Sequence, residues 1–459
     1  MSRRGMTLVE MLVAVTATLV LMTAVAQIFG IFGDTISGSR AVLDLDGRMR
    51  NVAWRLRSDL AGATARTLPP LASDAGEGYF EIIEGPATDA DAAAGATVGQ
   101  ADHDDAILLT TRNTDVPFIG RAPTLGGATI QSQTDTFEST VAEVAWFARP
   151  TPNSNPTTYT LYRRQLLVMG YVGADPFHSN PGSNNSLAWS DAGSSWSDYY
   201  NLPCDVSVRR QGSTLFPNTL ADLTRRENRF MHNPTGVTGT TAFPSAFVDH
   251  QAASPQPGLI FDTFQRQGED VILTNVLAFD VRVFDPGAPV FVTSGNTALV
   301  PGDPGFTNTP TASGAYVDLG HGVATNSLLT AVVAGGNAAR FAGLGQARSG
   351  LRGTTTSRRT YDTWSLHYEA NGLNEDGVPP FNDTVTDQGT DGLDNDGDGT
   401  FDEPAYDANG DGVYEDFGET ETLPPYPVPL RGIEVRIRCY EPASRQVRQV
   451  TVRHTFVPH

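Results

Sequence analysis

Residues 1–33, MSRRGMTLVEMLVAVTATLVLMTAVAQIFGIFG, set a short basic leader, a glycine and a single glutamate in front of an uninterrupted apolar run. Residues 11–33 carry no charge, and as a helix they extend roughly 35 Å, enough to cross the hydrocarbon core of a bilayer with some tilt. Glu10 stands just inside the start of that run. A carboxylate there costs on the order of a few kcal/mol in lipid, so its presence points to a partner or a function.

A secretory signal peptide places small residues at a cleavage site behind its apolar region. Residues 34–40 offer no A-x-A site, and the small residue instead precedes the apolar run, as Gly5 followed by Met6, Thr7, Leu8, Val9 and Glu10. This arrangement resembles the class III signal of type IV prepilins and type II secretion pseudopilins. The resemblance implies cleavage by a prepilin peptidase between Gly5 and Met6, methylation of the new amino terminus on Met6, and Glu10 as the fifth mature residue. Met6 stands where the family more often has Phe. An assembly role for Glu10 follows: its carboxylate neutralises the amine of an adjacent subunit inside a bundle of apolar helices, where such a pair is far stronger than in water.

Past the apolar run, Val42, Leu45, Met49, Val52, Leu56 and Leu60 recur at spacings of three and four. Arg48, Arg50, Arg55, Arg57 and Asp59 fill the other positions. The pattern predicts an amphipathic helix laid on a core and ended by Gly62 and Pro69-Pro70. The remainder reads as β: residues 106–111, 141–148, 157–168, 271–284 and 432–440 are rich in β-branched and aromatic side chains. GIEVRIRCY and RQVRQVTVRHTF, joined through Glu441-Pro442-Ala443-Ser444, read as a hairpin. The absence of a βαβ rhythm predicts an antiparallel sheet. The class expected is α+β, a pilin-like fold with a long N-terminal helix packed on an antiparallel sheet.

The domain plan is a leader (1–5), a transmembrane helix (6–33), its amphipathic extension (34–66) and a β-rich globular domain outside the cytoplasm (67–459). Residues 173–201 and 287–353, full of Gly, Pro, Ser, Asn and Thr, are expected to be long surface loops. The order RMRNVAWRLRSDL, TLYRRQLLV, VLAFDVRVFDP, PLRGIEVRIRCYEP is similar to that of J-type minor pseudopilins of type II secretion and W-type minor pilins. That likeness implies a subunit at or near the tip of a pseudopilus or pilus-like filament. Its partners would be the inner membrane, the peptidase, other minor and major subunits through the N-terminal helix, and secreted cargo. The alternative is a membrane-anchored, calcium-dependent binding protein using the same signal for anchoring.

Composition narrows the chemistry. All 31 basic residues are Arg, which excludes a Walker A loop, a Schiff-base enzyme and a Ser-Lys hydrolase. The net charge is −21, of which residues 369–421 supply seventeen acids and no cation, so no nucleic-acid surface is indicated. The eight His form no H-E-x-x-H motif, nothing in the linear order signals a catalytic triad, and no enzymatic activity is expected. His103-Asp104-Asp105 reads as a polar turn ahead of a strand. Arg3 and Arg4 place the globular part on the far side of the inner membrane, in the periplasm, where a Cys204–Cys439 disulfide is permitted. A buried free thiol is the other reading of Cys439, which shares a strand face with Ile433, Val435 and Ile437.

Within the acidic run, Asp394, Asp396, Asp398, Gly399, the Thr400 carbonyl and Asp402 match the opening of a calcium loop, and Asp407, Asn409, Asp411, Gly412, the Val413 carbonyl and Glu415 repeat the spacing. Ala405 and Gly418 stand where an EF-hand has its bidentate Glu. Glu403, or Glu419 beyond the second loop, offers the missing oxygens. A structural calcium in residues 391–419 is the expectation, the alternative being a solvated acidic loop.

Overall fold

A single helix, α1, runs unbroken from Leu8 to Ala61 over 54 residues, about 80 Å at 1.5 Å per residue. The apolar and amphipathic runs are thus one element. Its start is a reciprocal capping box: Glu10 N donates to Thr7 Oγ1 at 3.3 Å, and Thr7 N donates to Glu10 Oε2 at 2.9 Å. Along the apolar half the hydroxyls of Thr16, Thr18, Thr23 and Thr35 each donate to a carbonyl one turn back, so these polar groups need no outside partner. This half is long and apolar enough to cross a bilayer, with a mean hydropathy of 2.2, and none of that window is buried against the rest of the chain. Gly62 closes the helix by donating to Ser58 and Leu60 carbonyls. It lies so close to the Arg112 carbonyl and the Thr111 hydroxyl that a Cβ has no room.

This computed structural model describes residues 7–67, 76–85, 102–123, 134–151, 154, 157–169, 205–211, 214–225, 228–230, 268–307, 309, 311–319, 359–363, 393–394, 397–400 and 430–456. Its strands are β1 (Phe80–Glu84), β2 (Ala106–Arg112), β3 (Phe118–Pro123), β4 (Thr134–Ser139), β5 (Val141–Pro150), β6 (Tyr159–Leu167), β7 (Val208–Gln211), β8 (Thr214–Pro217), β9 (Val271–Val292), β10 (Ala298–Leu299), β11 (Ala312–Asp318), β12 (Arg359–Asp362), β13 (Gly432–Glu441) and β14 (Gln446–Thr455). The main sheet has the order β12-β1-β2-β5-β6-β9-β13-β14, with β10 and β11 on the far half of β9. Its ladders are antiparallel. β3–β4 and β7–β8 form two small separate pairs. The class is α+β, as expected. The 287–353 segment, expected to be loop throughout, contributes the end of β9 together with β10 and β11; residues 173–201 lie outside the described residues.

Period-two alternation gives the sheet two buried faces. Leu45, Met49, Val52, Ala53, Leu56 and Leu60 of α1 pack on one, against Ile107 and Leu109, Val144 and Trp146, Phe279 and Val281, and Ile433, Val435 and Ile437. The other face carries Tyr79, Ile83, Leu108, Ala145, Phe147 and Leu166, covered by Val206, Val208, Leu223 and Phe230.

Asp59, assigned above to the solvent side of the helix, is buried. Its carboxylate accepts both ends of the Arg163 guanidinium, at 2.7 and 2.8 Å, and the Trp146 indole N–H at 2.9 Å. The 3.6-residue period leaves Asp59 on the flank of the apolar stripe, and the periodicity alone does not say that β6 brings a cation to meet it. Removing one partner of a buried pair strands the other charge, at a cost of about 3–5 kcal/mol. Asp59→Ala and Arg163→Ala are each expected to lose about that much stability in denaturant titrations of the detergent-solubilised protein. The double variant should lose clearly less than the sum; strict additivity would show that the pair is not coupled.

Candidate functional site

Five carboxylates from four separate parts of the chain meet beside the middle of β9. Glu84 closes β1, Asp102 and Asp105 lie on the approach to β2, Asp280 sits within β9, and Asp318 ends β11. All are buried. Oxygens of Glu84, Asp102 and Asp318 lie within 4.8 Å of one another, as do those of Asp102, Asp105 and Asp280.

Backbone donors hold the set in place: Leu319 N to Glu84 Oε2 at 3.0 Å, Gly85 N to Asp105 Oδ1 at 3.1 Å, and Val281 N to Asp105 Oδ2 at 2.6 Å. Gly85 packs directly on the Asp104 carboxyl and Gly302, at φ +92°, on that of Asp318, so neither position has room for a side chain. The fully buried cation at this place is Arg282, whose Nε meets Asp280 at 3.0 Å and Asp318 at 3.2 Å and whose Nη1 meets Asp303 at 3.0 Å.

Arg436 approaches the set from the side, with its Nη1 3.8 Å from Asp280. Burial first, and the neighbouring acids after it, push both Asp102 and Asp105 well above the ordinary carboxylate range. A carboxyl so raised readily takes a proton, and an all-oxygen donor set of this kind can hold a hard metal ion.

The sequence reading of His103-Asp104-Asp105 as a polar turn is therefore corrected. The segment does precede β2, but Asp102, Asp104 and Asp105 are buried, and the His103 ring stacks on Tyr159 with centroids 4.0 Å apart. The available signal was Asp280-Val281-Arg282 in an otherwise apolar strand: period two sends both charged side chains to one face, but only the sheet register says which acids they join.

The acidic loops are described in part. Asp394 accepts from Gly397 N at 2.6 Å and Gly399 N at 3.0 Å, and Asp398 Oδ1 accepts from Thr400 N at 2.6 Å. The left-handed glycines at 397 and 399 make the tight turn possible. Asp396, Asp402, Glu403, Asp407, Asn409, Asp411, Val413 and Glu415 lie outside the described residues, as do Gly5, Met6 and Cys204. Cys439 is a free, buried thiol whose Sγ donates to the Thr274 carbonyl at 3.2 Å. Burial pushes its pKa up to about 12.

A second buried network, also absent from the sequence reading, lies on the face of the sheet away from α1. Arg229 donates to Asp362 at 2.8 Å and Glu81 at 3.3 Å and stacks on the Tyr79 ring at 4.3 Å. Glu143 accepts from the Tyr79 hydroxyl at 2.7 Å, the Ser207 hydroxyl at 2.5 Å and Phe230 N at 2.7 Å. Buried and engaged with one another, these groups tie β1, β5 and β12 to the segment around Arg229.

Comparison with protein-family models, with curated proteins and with solved structures finds no match to this chain.

An acid whose pKa is raised by folding holds its proton more tightly folded than unfolded. Its effect on stability is nil below the ordinary value of 3.8 and becomes increasingly unfavourable as pH rises above it. With chelator present, the melting temperature should fall between pH 5 and 8, and Asp102→Asn should flatten that fall; parallel profiles for the two proteins would contradict this origin. A metal in the cluster would show as a rise in melting temperature at pH 8 on adding a divalent cation, lost in the Asp102→Asn protein.

Proposed function

We propose that this chain is a non-catalytic subunit of a type IV pilin-like filament, of the J-type minor pseudopilin or W-type minor pilin kind. In this reading it is anchored in the inner membrane by α1 and carries its β-rich domain into the periplasm. The observation that carries it is the solvent side of α1. Ile36, Leu43 and Trp54 lie along one line of the helix, within about 20° at 3.6 residues per turn, and continue the line of Val25, Phe29 and Phe32. Leu43 is 71% and Trp54 63% exposed, although both lie beyond the membrane-crossing length, on the half of α1 whose other side packs on the sheet. Large apolar groups left exposed on one side of a helix, here interspersed with Arg40, Gly47 and Arg50, suit contact with another helix. Such a seam along most of α1 suits a subunit that joins a bundle of like helices, first in lipid and then in a filament.

Glu10 takes two roles in this account. Its side chain caps the helix through Thr7, and its charge meets the methylated amine of a neighbouring Met6 after cleavage at Gly5. Glu10→Gln separates them, since an amide fills the capping box without the charge. The variant should be processed and membrane-inserted normally yet fail to enter filaments or complexes with other minor subunits on co-expression. Mass spectrometry of the purified mature chain should find an N-methylated Met6; an intact first pentapeptide or normal incorporation of Glu10→Gln would overturn the reading.

The second reading, an anchored calcium-dependent binding protein, is favoured by Asp394 and Asp398, whose carboxylates are already held by the backbone donors of Gly397, Gly399 and Thr400. Structural calcium is compatible with either reading. Absence of any complex with minor subunits, together with calcium-dependent capture of a soluble ligand, would favour the second.

A further inference from the structure

β14 is the last strand of the main sheet, and no described strand pairs with its outer side. Phe456 N donates to the Arg431 carbonyl at 3.0 Å, and the ladder runs back from there without a shift, from Thr455 opposite Gly432 to Gln446 opposite Glu441. In an antiparallel ladder, pairs that exchange backbone bonds alternate with pairs that do not. Gln446, Arg448, Val450, Val452 and His454 therefore turn their backbone groups to β13. Val447, Gln449, Thr451, Arg453 and Thr455 turn theirs outward, where no backbone group of the described residues meets them.

Proteins commonly blunt a bare sheet edge by shortening it, bulging it or placing Pro or charge on it. The opposite edge, β12, is only 4 residues long. β14 has 10, with no bulge and no Pro, and its two arginines are drawn aside: Arg448 lies 3.7 Å from Asp46 of α1, and Arg453 Nε donates to Glu434 of β13. Val447, Gln449, Arg453 and Thr455 are exposed. The space beside them is open. Gln449, Thr451 and Arg453 line one cavity of about 610 Å³ together with Arg57, which comes from the α1 side, and with Glu434 and Arg436, which alternate with the core residues of β13 and so reach it from the other side.

We propose that β14 accepts an extended segment of a different protein as a further strand of the sheet. Main-chain bonds to the outward N–H and C=O groups supply the affinity, and alternate side chains supply the register. On the α1 side the incoming strand lies beside Val450 and Val452, which favours β-branched residues; on the other it lies beside Gln449, Thr451 and Arg453, which favours polar ones. A second copy of this chain is the poorer occupant. Two β14 edges paired antiparallel are related by a two-fold axis through the sheet, which would set the two α1 helices antiparallel, with their apolar halves pointing in opposite directions rather than into one bilayer. The edge is the same whether the chain joins a filament or acts as an anchored binding protein, so neither reading stands or falls with it.

The test uses the full-length protein in detergent and fluorescence anisotropy with a labelled peptide of residues 446–455, QVRQVTVRHT, a strand of suitable pattern that carries no α1. It should bind saturably. Two further peptides carry N-methyl groups on alternate residues, one set each. A strand meets an edge along one side only, so one set should abolish binding and the other should leave it. Thr451→Pro removes an outward donor that β13 does not use; the protein should keep its circular dichroism spectrum while peptide binding falls by about tenfold or more. Thr451→Val, which keeps the amide, should bind as the parent does. The methylated pair decides the matter even where Thr451→Pro does not fold. No binding of the peptide, equal effects of the two methylated sets, or equal weakening by Thr451→Val would each overturn the proposal. So would undiminished binding by a folded Thr451→Pro protein, which would show that the peptide displaces β14 rather than joins it, or a dimer in detergent that Thr451→Pro dissociates, which would assign the edge to a second copy.

Discussion

The structure depends on one helix meeting two environments along its length. From Leu8 through Phe32 every large apolar side chain of α1 that is described as exposed points away from any protein contact; from Leu45 onward one stripe is closed against the sheet. Nothing breaks the helix between these halves, so wherever the sheet sits, the apolar half is held at a fixed distance and direction from it. The Asp59–Arg163–Trp146 contact makes that attachment specific, because an apolar stripe alone would tolerate sliding by a turn whereas a bidentate ion pair would not.

The sheet pays for its size in buried charge. Both faces are covered, so polar residues that alternation would send to water in a one-sided sheet are enclosed. On the face away from α1 the chain resolves this twice, in different ways. Around Arg229 and Glu143, a guanidinium, two hydroxyls and a backbone N–H meet the carboxylates of Glu81, Asp362 and Glu143. Around Asp280, five buried carboxylates gather beside the buried Arg282, with Arg436 approaching from the side. The raised carboxyls of Asp102 and Asp105 make this a place where protons or cations act on folding.

Legibility from sequence followed the range of the interactions. The end of α1 at Gly62, the core positions Leu45 to Leu60, the strands read at 106–111, 141–148 and 271–284, which extend to Arg112, Pro150 and Val292, and the C-terminal hairpin rest on local period and turn chemistry, and they were readable. So was the buried Cys439, from its place beside Ile433, Val435 and Ile437. Asp59 was misplaced because its partner is 104 residues away. The acidic cluster was missed because it joins residues from 84 to 318, with an unremarkable pattern in each strand. The strands at 298–299 and 312–318 were hidden in a composition that reads as loop and are ordered by pairing with the long β9. The Thr7–Glu10 capping box was legible as T-x-x-E but was overshadowed by the reading of Glu10 as an assembly residue.

The central claim is that α1 lies in lipid through its first half and beside the sheet through its second. Single cysteines placed at Leu19, Ile28 and Leu43 in a chain lacking Cys204, probed in native membranes with a membrane-impermeant maleimide, test it most directly, since the buried Cys439 is inert. The account predicts that Leu19 and Ile28 are refractory until the bilayer is dissolved and that Leu43 reacts at once. Ready labelling at 19 and 28 in intact membranes, or recovery of the globular chain without this segment, would contradict it.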